Sequence, residues 1–344
     1  MKRFFEFVWP GLGLVAVIVS IWLLHQQFRG VAVAPEVWAD LKAIPLGQYG
    51  LTIGATLVAY AALAWYDRIA LLHLGVKHIS WTFIALCSFT TYALAHNIGA
   101  SVFSGAMVRY RAYSTKGLTP AQIAVLVGIC SLTFGLGVLL LGGLLLVTDP
   151  WQLRRFAGML PSALTEPTTA RGIGAVCLGL VGVYVAGSIF NLRPLTLGKL
   201  RIEYPRPGIA FRKFVAAPME ILGAAGIIYF ALPQAGNPGY FVVLGVFLAS
   251  FSAALVSEAP GGLGIFELLF IKAMPAMPQH KVLAALLVFR FFYLVLPLVF
   301  AAIVVVAFER GKLQEALRHN SQGGPSEKPA GQRKNERTSP ADVS

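Results

Sequence analysis

From Leu118 to Thr148 the chain runs for 31 residues without a single charged side chain. Gly172–Leu192 is a second such run, and Trp81–Phe103 is a third, with His96 as its one basic residue. About 20 apolar residues in helical form cross a bilayer core. Backbone inside hydrocarbon must satisfy its own polar groups, which leaves only helices and closed barrels. No alternation of polar and apolar residues supports a barrel. Only 12% of the residues are charged, about half of what a soluble domain carries, near 25%. The chain therefore reads as an all-α polytopic membrane protein.

A short basic N-terminus precedes an apolar run ending near Leu24, read as an uncleaved first helix because no clean cleavage site follows it. The further segments are Tyr49–Tyr66, Trp81–Val102, Pro120–Val147, Gly172–Leu192, Phe214–Leu232, Gly239–Ser257 and Val282–Phe308, about eight transmembrane helices in all. Thr119-Pro120 has the form of a helix start, with Thr as N-cap and Pro at the first helical position. "LPQAGNPG", residues 232–239, is a turn. Residues 1–308 form the membrane domain, and the polar stretch 309–344 is expected to be a largely disordered tail without an enzymatic domain.

The net charge of +13 is read through the membrane, because Lys and Arg concentrate in cytoplasmic loops. Nucleic-acid binding is not expected. Simple alternation of eight crossings places 14 Lys and Arg inside and 13 outside, with Arg290 within a helix, and so gives no bias. If Trp81–Val102 dips in and returns, and the stretch after Gly264 completes a crossing, the count becomes 20 inside and 7 outside. The second arrangement is preferred, with re-entrant or broken helices at two Gly-rich polar motifs and both termini cytoplasmic. The cysteines Cys87, Cys130 and Cys177 have no metal or redox spacing, the histidines form no ligand pattern, and neither metal nor cofactor is expected.

The first polar motif is "HNIGASVFSGAMVRYRAYSTKGLTP", residues 96–120. Asn97 closes an uncharged run. Gly99 and Gly105 loosen the helix, and Arg109, Tyr110, Arg111, Tyr113 and Lys116 follow. Half-helix ends within a membrane are sites for charged ligand groups, and an arginine fork grips phosphate with two hydrogen bonds. Arg109 is expected to hold a lipid phosphate, while Arg111 and Lys116 suit an interfacial loop.

The second motif is "APGGLGIFELLF", residues 259–270, with Glu258 before it. Pro260, Gly261, Gly262 and Gly264 break the chain, and Glu267 falls in the first turn after the break, where the helix dipole favours a carboxylate. Arg290, in "LLVFRFFYLVLP", is the lone basic residue of a long apolar helix. A charge at the bilayer centre costs about 2.5–3.5 kcal/mol even on the lenient scale and is usually paired. Glu267 is the expected partner and Glu258 the alternative. Glu220 is a third buried acid, or an interfacial residue near Arg212 and Lys213.

"HNIGASVFSGAMVRYRAYSTKGLTPAQIA", "PGGLGIFE" and "FRFFYLVLP" resemble the transmembrane region of the lysylphosphatidylglycerol synthases, the multiple peptide resistance factors. The resemblance spans roughly residues 8–308. It implies a flippase that moves an aminoacylated phospholipid across the inner membrane, with Asn97, Gly99, Gly105, Arg109, Tyr113, Gly117, Pro260, Gly261, Gly262, Gly264, Glu267 and Arg290 at the matching positions. Full-length members continue into a soluble synthase domain. Here the chain stops after a 36-residue tail, so synthesis of the lipid is not expected. The leading expectation is a non-enzymatic translocator of a phospholipid or other polar-headgroup lipid, driven without ATP because no phosphate-binding GxxxxGK[ST] motif is present. The alternatives are an integral-membrane transferase on a lipid-linked substrate and an accessory subunit of a lipid synthase. A homo-oligomer is a further possibility.

Overall fold

The computed structural model describes residues 35–98, 101–190, 192, 195–197, 200–202, 204–257 and 264–308. The first apolar run, Gly99, Glu258, Pro260, Gly261, Gly262 and the polar tail lie outside the described residues. The chain divides into residues 1–305 and 306–344. Of the second unit only the last turn of the final helix is described.

Helix α1 is Pro35–Ala43 and α2 is Leu46–His73. The stretch Trp81–Val102, expected to dip in and return within itself, is instead one helix, α3 (Trp81–Ile98), followed by a second, α4 (Ser101–Ser114). Helix α5 (Pro120–Thr148) starts as its sequence foretells. The Thr119 hydroxyl accepts from the Gln122 N–H, and the Gln122 side-chain Oε1 accepts from the Thr119 N–H at 2.9 Å. A 3₁₀ segment, Pro150–Phe156, and a single turn, α6 (Ser162–Thr165), lead into α7 (Pro167–Ile189). A short antiparallel hairpin of β1 (Leu195–Leu197) and β2 (Leu200–Ile202), with Thr196 opposite Arg201, adds a small strand pair to an otherwise helical chain. Helices α8 (Pro207–Ala231), α9 (Tyr240–Val256) and α10 (Ile265–Ala273) follow. The last helix, α11, runs from Gln279 to Phe308 with a π-helical turn at Phe291–Val295.

Five of these helices, α2, α5, α7, α8 and α11, are long and apolar enough to cross a membrane. The remaining apolar segments are arranged in pairs. Helix α4 packs back along α3. At the open end of this pair, His78 Nε2 lies 3.1 Å from the Lys116 carbonyl, and the Phe83 and Tyr113 rings meet at 6.0 Å. The chain therefore enters α3 and leaves α4 at the same end. Helix α10 likewise returns along α9, with Phe266 set against Phe247 and Phe251.

The two pairs occupy equivalent places in a repeat. Trp81 and Tyr240, which open α3 and α9, are 159 residues apart. So are Pro120 and Gln279, which open α5 and α11. Helices α2 and α8 form the most extensive contact in the molecule. They cross antiparallel, because Gly226 faces Ala55 while Gly223, one turn earlier, faces Ala55 and Ala59. The chain is thus two copies of one unit, a long helix, a helical hairpin and a second long helix, with the second copy upside down. Helix α7 packs on α5, and α1 packs on α11. The small residues along the α2–α8 seam let the backbones approach, as packing within lipid favours.

The seam yields a stability test. A Cβ added at Gly223 would stand 2.9 Å from the Ala55 carbonyl oxygen and from the Ala59 amide nitrogen, whereas one at Gly54 meets nothing within 4 Å. Gly→Ala in an open helix position gains about 0.5–1 kcal/mol, and overpacking costs about 1–3 kcal/mol. Gly223→Ala is expected to lower the melting temperature in detergent and Gly54→Ala to hold or raise it. Equal effects would mean that the two helices do not meet this closely.

Candidate functional site

Helix α2 extends about two turns beyond the expected end at Tyr66, to His73, and this brings Asp67 inside the bundle, fully buried. Asp67 is the centre of the first polar cluster. Arg109 Nη2 donates to its Oδ1 at 2.6 Å, and Arg109 Nε lies 3.2 Å from both oxygens. Tyr113 donates its hydroxyl to Oδ2 at 2.9 Å, and Cys130 Sγ approaches Oδ1 at 3.5 Å. The guanidinium also sits 4.9 Å above the Tyr92 ring. Gly105 allows this arrangement, since a Cβ there would press on Thr91 Cγ2 at 3.2 Å and Arg109 Nη1 at 3.4 Å. The fork expected to face a lipid phosphate is occupied by an internal carboxylate, and Arg109 is 4% exposed. Tyr113, fully buried, serves the same carboxylate.

The second cluster forms as the sequence leads one to expect. Arg290 donates from Nε and Nη2 to Glu267 Oε1. The other oxygen of Glu267 accepts the Gly264 N–H at 3.0 Å, which satisfies an orphan donor at the start of α10. Gly264 has a φ of 80°, in the left-handed region that suits glycine. The Arg290 side chain is 4% exposed and that of Glu267 is 18% exposed, so this pair has one open edge. Glu258, the alternative partner, lies outside the described residues.

The π-turn directly after Arg290 links the two hairpins. A π-turn breaks the regular helical ladder and releases carbonyls. Tyr60 donates its hydroxyl to the Tyr293 carbonyl at 2.9 Å. Asn97 Nδ2 donates to the Leu294 carbonyl at 3.1 Å and to Ala93 at 2.7 Å. Asn97 thus ties the inner end of α3 to α11. His96 beside it stacks on the Tyr293 ring at 5.3 Å and meets Phe251 of α9 at 6.3 Å. The inner parts of both hairpins therefore converge on the π-turn.

Glu220 lies close by, 2% exposed. It accepts the Tyr293 hydroxyl at 2.8 Å through Oε1, and its Oε2 has no partner. Lys213, offered by the sequence as its neighbour, is two turns away and donates to the Tyr184 hydroxyl at 3.1 Å instead. Glu220 is therefore a core residue and not an interfacial one. Asp67, Tyr60, Tyr66, Tyr293 and the π-turn escaped sequence reasoning. The one available signal was "YDRIA", an acid two turns before the end of an apolar helix.

These features define a multi-pass helical membrane protein in which two inverted units share a polar centre. No family model matches the sequence. The uncharacterized protein slr0712 of Synechocystis sp. is 30% identical over 92% of this chain and 96% of its own length, and the chain belongs to the family of that protein. The inner membrane protein YbhN of Escherichia coli (strain K12) is 28% identical over 80% of this chain and 84% of its own. The phosphatidylglycerol lysyltransferase of Staphylococcus haemolyticus is 33% identical over 100 residues, 28% of this chain and 12% of that enzyme. The similarity to these enzymes is thus confined to a segment.

The two ion pairs differ in burial, and this sets their expected energetics. Removing one partner of a buried pair costs about 3–5 kcal/mol, while replacing both is often far milder. Asp67→Asn is expected to lower the melting temperature more than Glu267→Gln, because Asp67 has no exposed edge. Asp67→Asn with Arg109→Gln is expected to recover part of that loss. Strictly additive losses in detergent would mean that Asp67 and Arg109 are not coupled.

Proposed function

We propose that the chain is a lipid translocator of the inner membrane and that it moves a lipid whose headgroup carries both a phosphate and an ammonium group. The carrying observation is the pair of helical hairpins, each contributing one partner to a buried or half-buried Arg–carboxylate pair. Broken helices at a repeat interface are the pattern by which transporters hold charged substrates near the bilayer midplane. Similarity to YbhN, an inner membrane protein, and to a segment of phosphatidylglycerol lysyltransferases supports the same reading.

Glu267–Arg290 is the entry point in this reading, since Glu267 is the acid with an open edge. A zwitterionic or aminoacylated headgroup offers phosphate to the Arg290 fork and ammonium to the Glu267 carboxylate. It replaces the pair without leaving either charge alone, and so avoids the cost of a stranded buried ion. Asp67–Arg109, with its fork already filled, holds the first hairpin in place and opens only if its partners are exchanged in the same way. The protein itself makes and breaks no covalent bond.

In this reading both hairpins are re-entrant. Residues 74–80, 115–119 and the β-hairpin then share the cytoplasmic side with both termini, which concentrates the basic residues there. Cysteines placed singly at Ser80, Thr115, Ser162 and Gln234, in a chain lacking Cys87, Cys130 and Cys177, test the arrangement. An impermeant reagent on intact cells is expected to modify the last two positions and spare the first two. Opposite outcomes at Ser80 and Thr115 would exclude a re-entrant hairpin.

The transport test uses proteoliposomes with tagged aminoacylated, zwitterionic and purely anionic lipids. Wild type is expected to move the first two kinds faster than the third. Arg290→Lys keeps the charge but loses the bidentate fork, and is expected to slow translocation while leaving the melting temperature close to wild type. Equal movement of all three lipids by wild type and by Arg290→Lys would exclude headgroup gripping at this pair.

A further inference from the structure

Among the described residues three acids lie within the helical bundle, and the structure provides for them differently. Asp67 has Arg109 and Glu267 has Arg290. Glu220, on α8, has no cation. Its contacts are phenols. Tyr293 of α11 donates to Oε1 at 2.8 Å. Tyr66 of α2 lies beside it, near enough to interact electrostatically but outside hydrogen-bond geometry, and Tyr60 of α2 is within electrostatic reach. Helices α5 and α9, which also pack on α8, carry no charged residue, and the one on α7 is Arg171, near its start. The thiol of Cys130 on α5 is directed at Asp67, and Lys213 on α8 itself at Tyr184.

Three polar atoms in this neighbourhood are buried without a partner: Glu220 Oε2, Tyr66 hydroxyl oxygen and His96 Nδ1. Buried polar groups almost always find partners, so an open set points to something that comes and goes. The set is also connected. Glu220 is bonded to Tyr293, and Tyr293 is stacked against His96 at 5.3 Å, next to Asn97 at the inner end of α3. Within the membrane, ionisable residues of this kind mark ion and proton pathways.

We propose that Glu220 is a proton-binding site, with its unpartnered oxygen receiving the proton, and that the Tyr293–His96 stack links its occupancy to the first hairpin. An ionised carboxylate here stands without a counter-charge, whereas the neutral acid gains a donor of its own and removes the uncompensated charge. Proton exchange at Glu220 therefore changes the hydrogen bonding of the π-turn, which also holds Tyr60 and Asn97 through its carbonyls. This coupling rests on the translocator reading and supplies it with a driving ion. The protonation site itself does not depend on the identity of the lipid.

The experiment treats the whole chain in liposomes with dicyclohexylcarbodiimide, an apolar reagent that modifies protonated carboxyls in membranes, and reads peptides by mass spectrometry. An adduct is expected at Glu220 and not at Asp67 or Glu267. It should decline as pH rises, and it should be absent in Glu220→Gln. Tyr293→Phe, which retains the ring stacking, is expected to move the pH at which labelling declines, a response that a purely structural carboxyl would not give. No adduct at any pH in wild-type protein that melts normally, or protection by sodium at fixed pH, would overturn the proton site. In a parallel measurement, an imposed pH gradient is expected to accelerate lipid movement by wild type but not by Glu220→Gln. Labelling without lipid movement overturns the translocator reading alone. Lipid movement indifferent to the gradient in both proteins overturns the coupling alone.

Discussion

A helix that stops within a packed bundle releases donors and acceptors that water cannot reach, and the arrangement of this bundle follows from finding partners for them. At the start of α10 the partner is Glu267, whose carboxylate accepts the Gly264 N–H and receives Arg290 on its other side. At the π-turn of α11 the released carbonyls of Tyr293 and Leu294 take Tyr60 from α2 and Asn97 from α3. The bonds from Arg290, Tyr60 and Asn97 each reach across to a different element. An unsatisfied buried backbone group costs about 1–3 kcal/mol, so these contacts fix where the two hairpins sit.

The inverted repeat explains why the broken elements come as two. A unit with a helical hairpin between two long helices leaves the inner end of the hairpin poorly covered. A second copy, turned over and joined along the α2–α8 seam, places its own hairpin and its π-turn against that end. The glycines of the seam are what permit so close a crossing. Gly223 and Gly226 meet Ala55 and Ala59, and a larger residue would separate the two units and the polar centre they enclose.

Much of the scaffold was legible in the sequence because its causes are local. The capping pair at Thr119 and Gln122 stands within one turn, and the long apolar runs announce the crossings directly. The Glu267–Arg290 pair was legible for another reason: one cation in an apolar helix and one acid after a glycine break leave little choice. Asp67 was not legible, since "YDRIA" looks like the polar end of a span until α2 is seen to continue to His73. That continuation places a carboxylate where Arg109 meets it. The roles of Asn97 and Tyr60 depend on carbonyls 197 and 233 residues away, which no local pattern encodes. The repeat, too, is carried by element lengths and packing and not by repeated residues.

The unequal provision for the three acids bears on how such a bundle moves. A fully buried ion pair such as Asp67–Arg109 is costly to open and suits a fixed point. An ion pair with one exposed edge, Glu267–Arg290, opens at smaller cost. An acid with only phenols for company, Glu220, changes its charge without any ion pair having to break. The fixed pair lies within the first unit, the exchangeable pair within the second, and Glu220 on the helix that forms the seam between them. A change at Glu220 is felt by α8 and, through Tyr293, by the turn to which both hairpins are tied. Glu220 thus lies on the helix that joins the two halves and is bonded to the turn at which they meet.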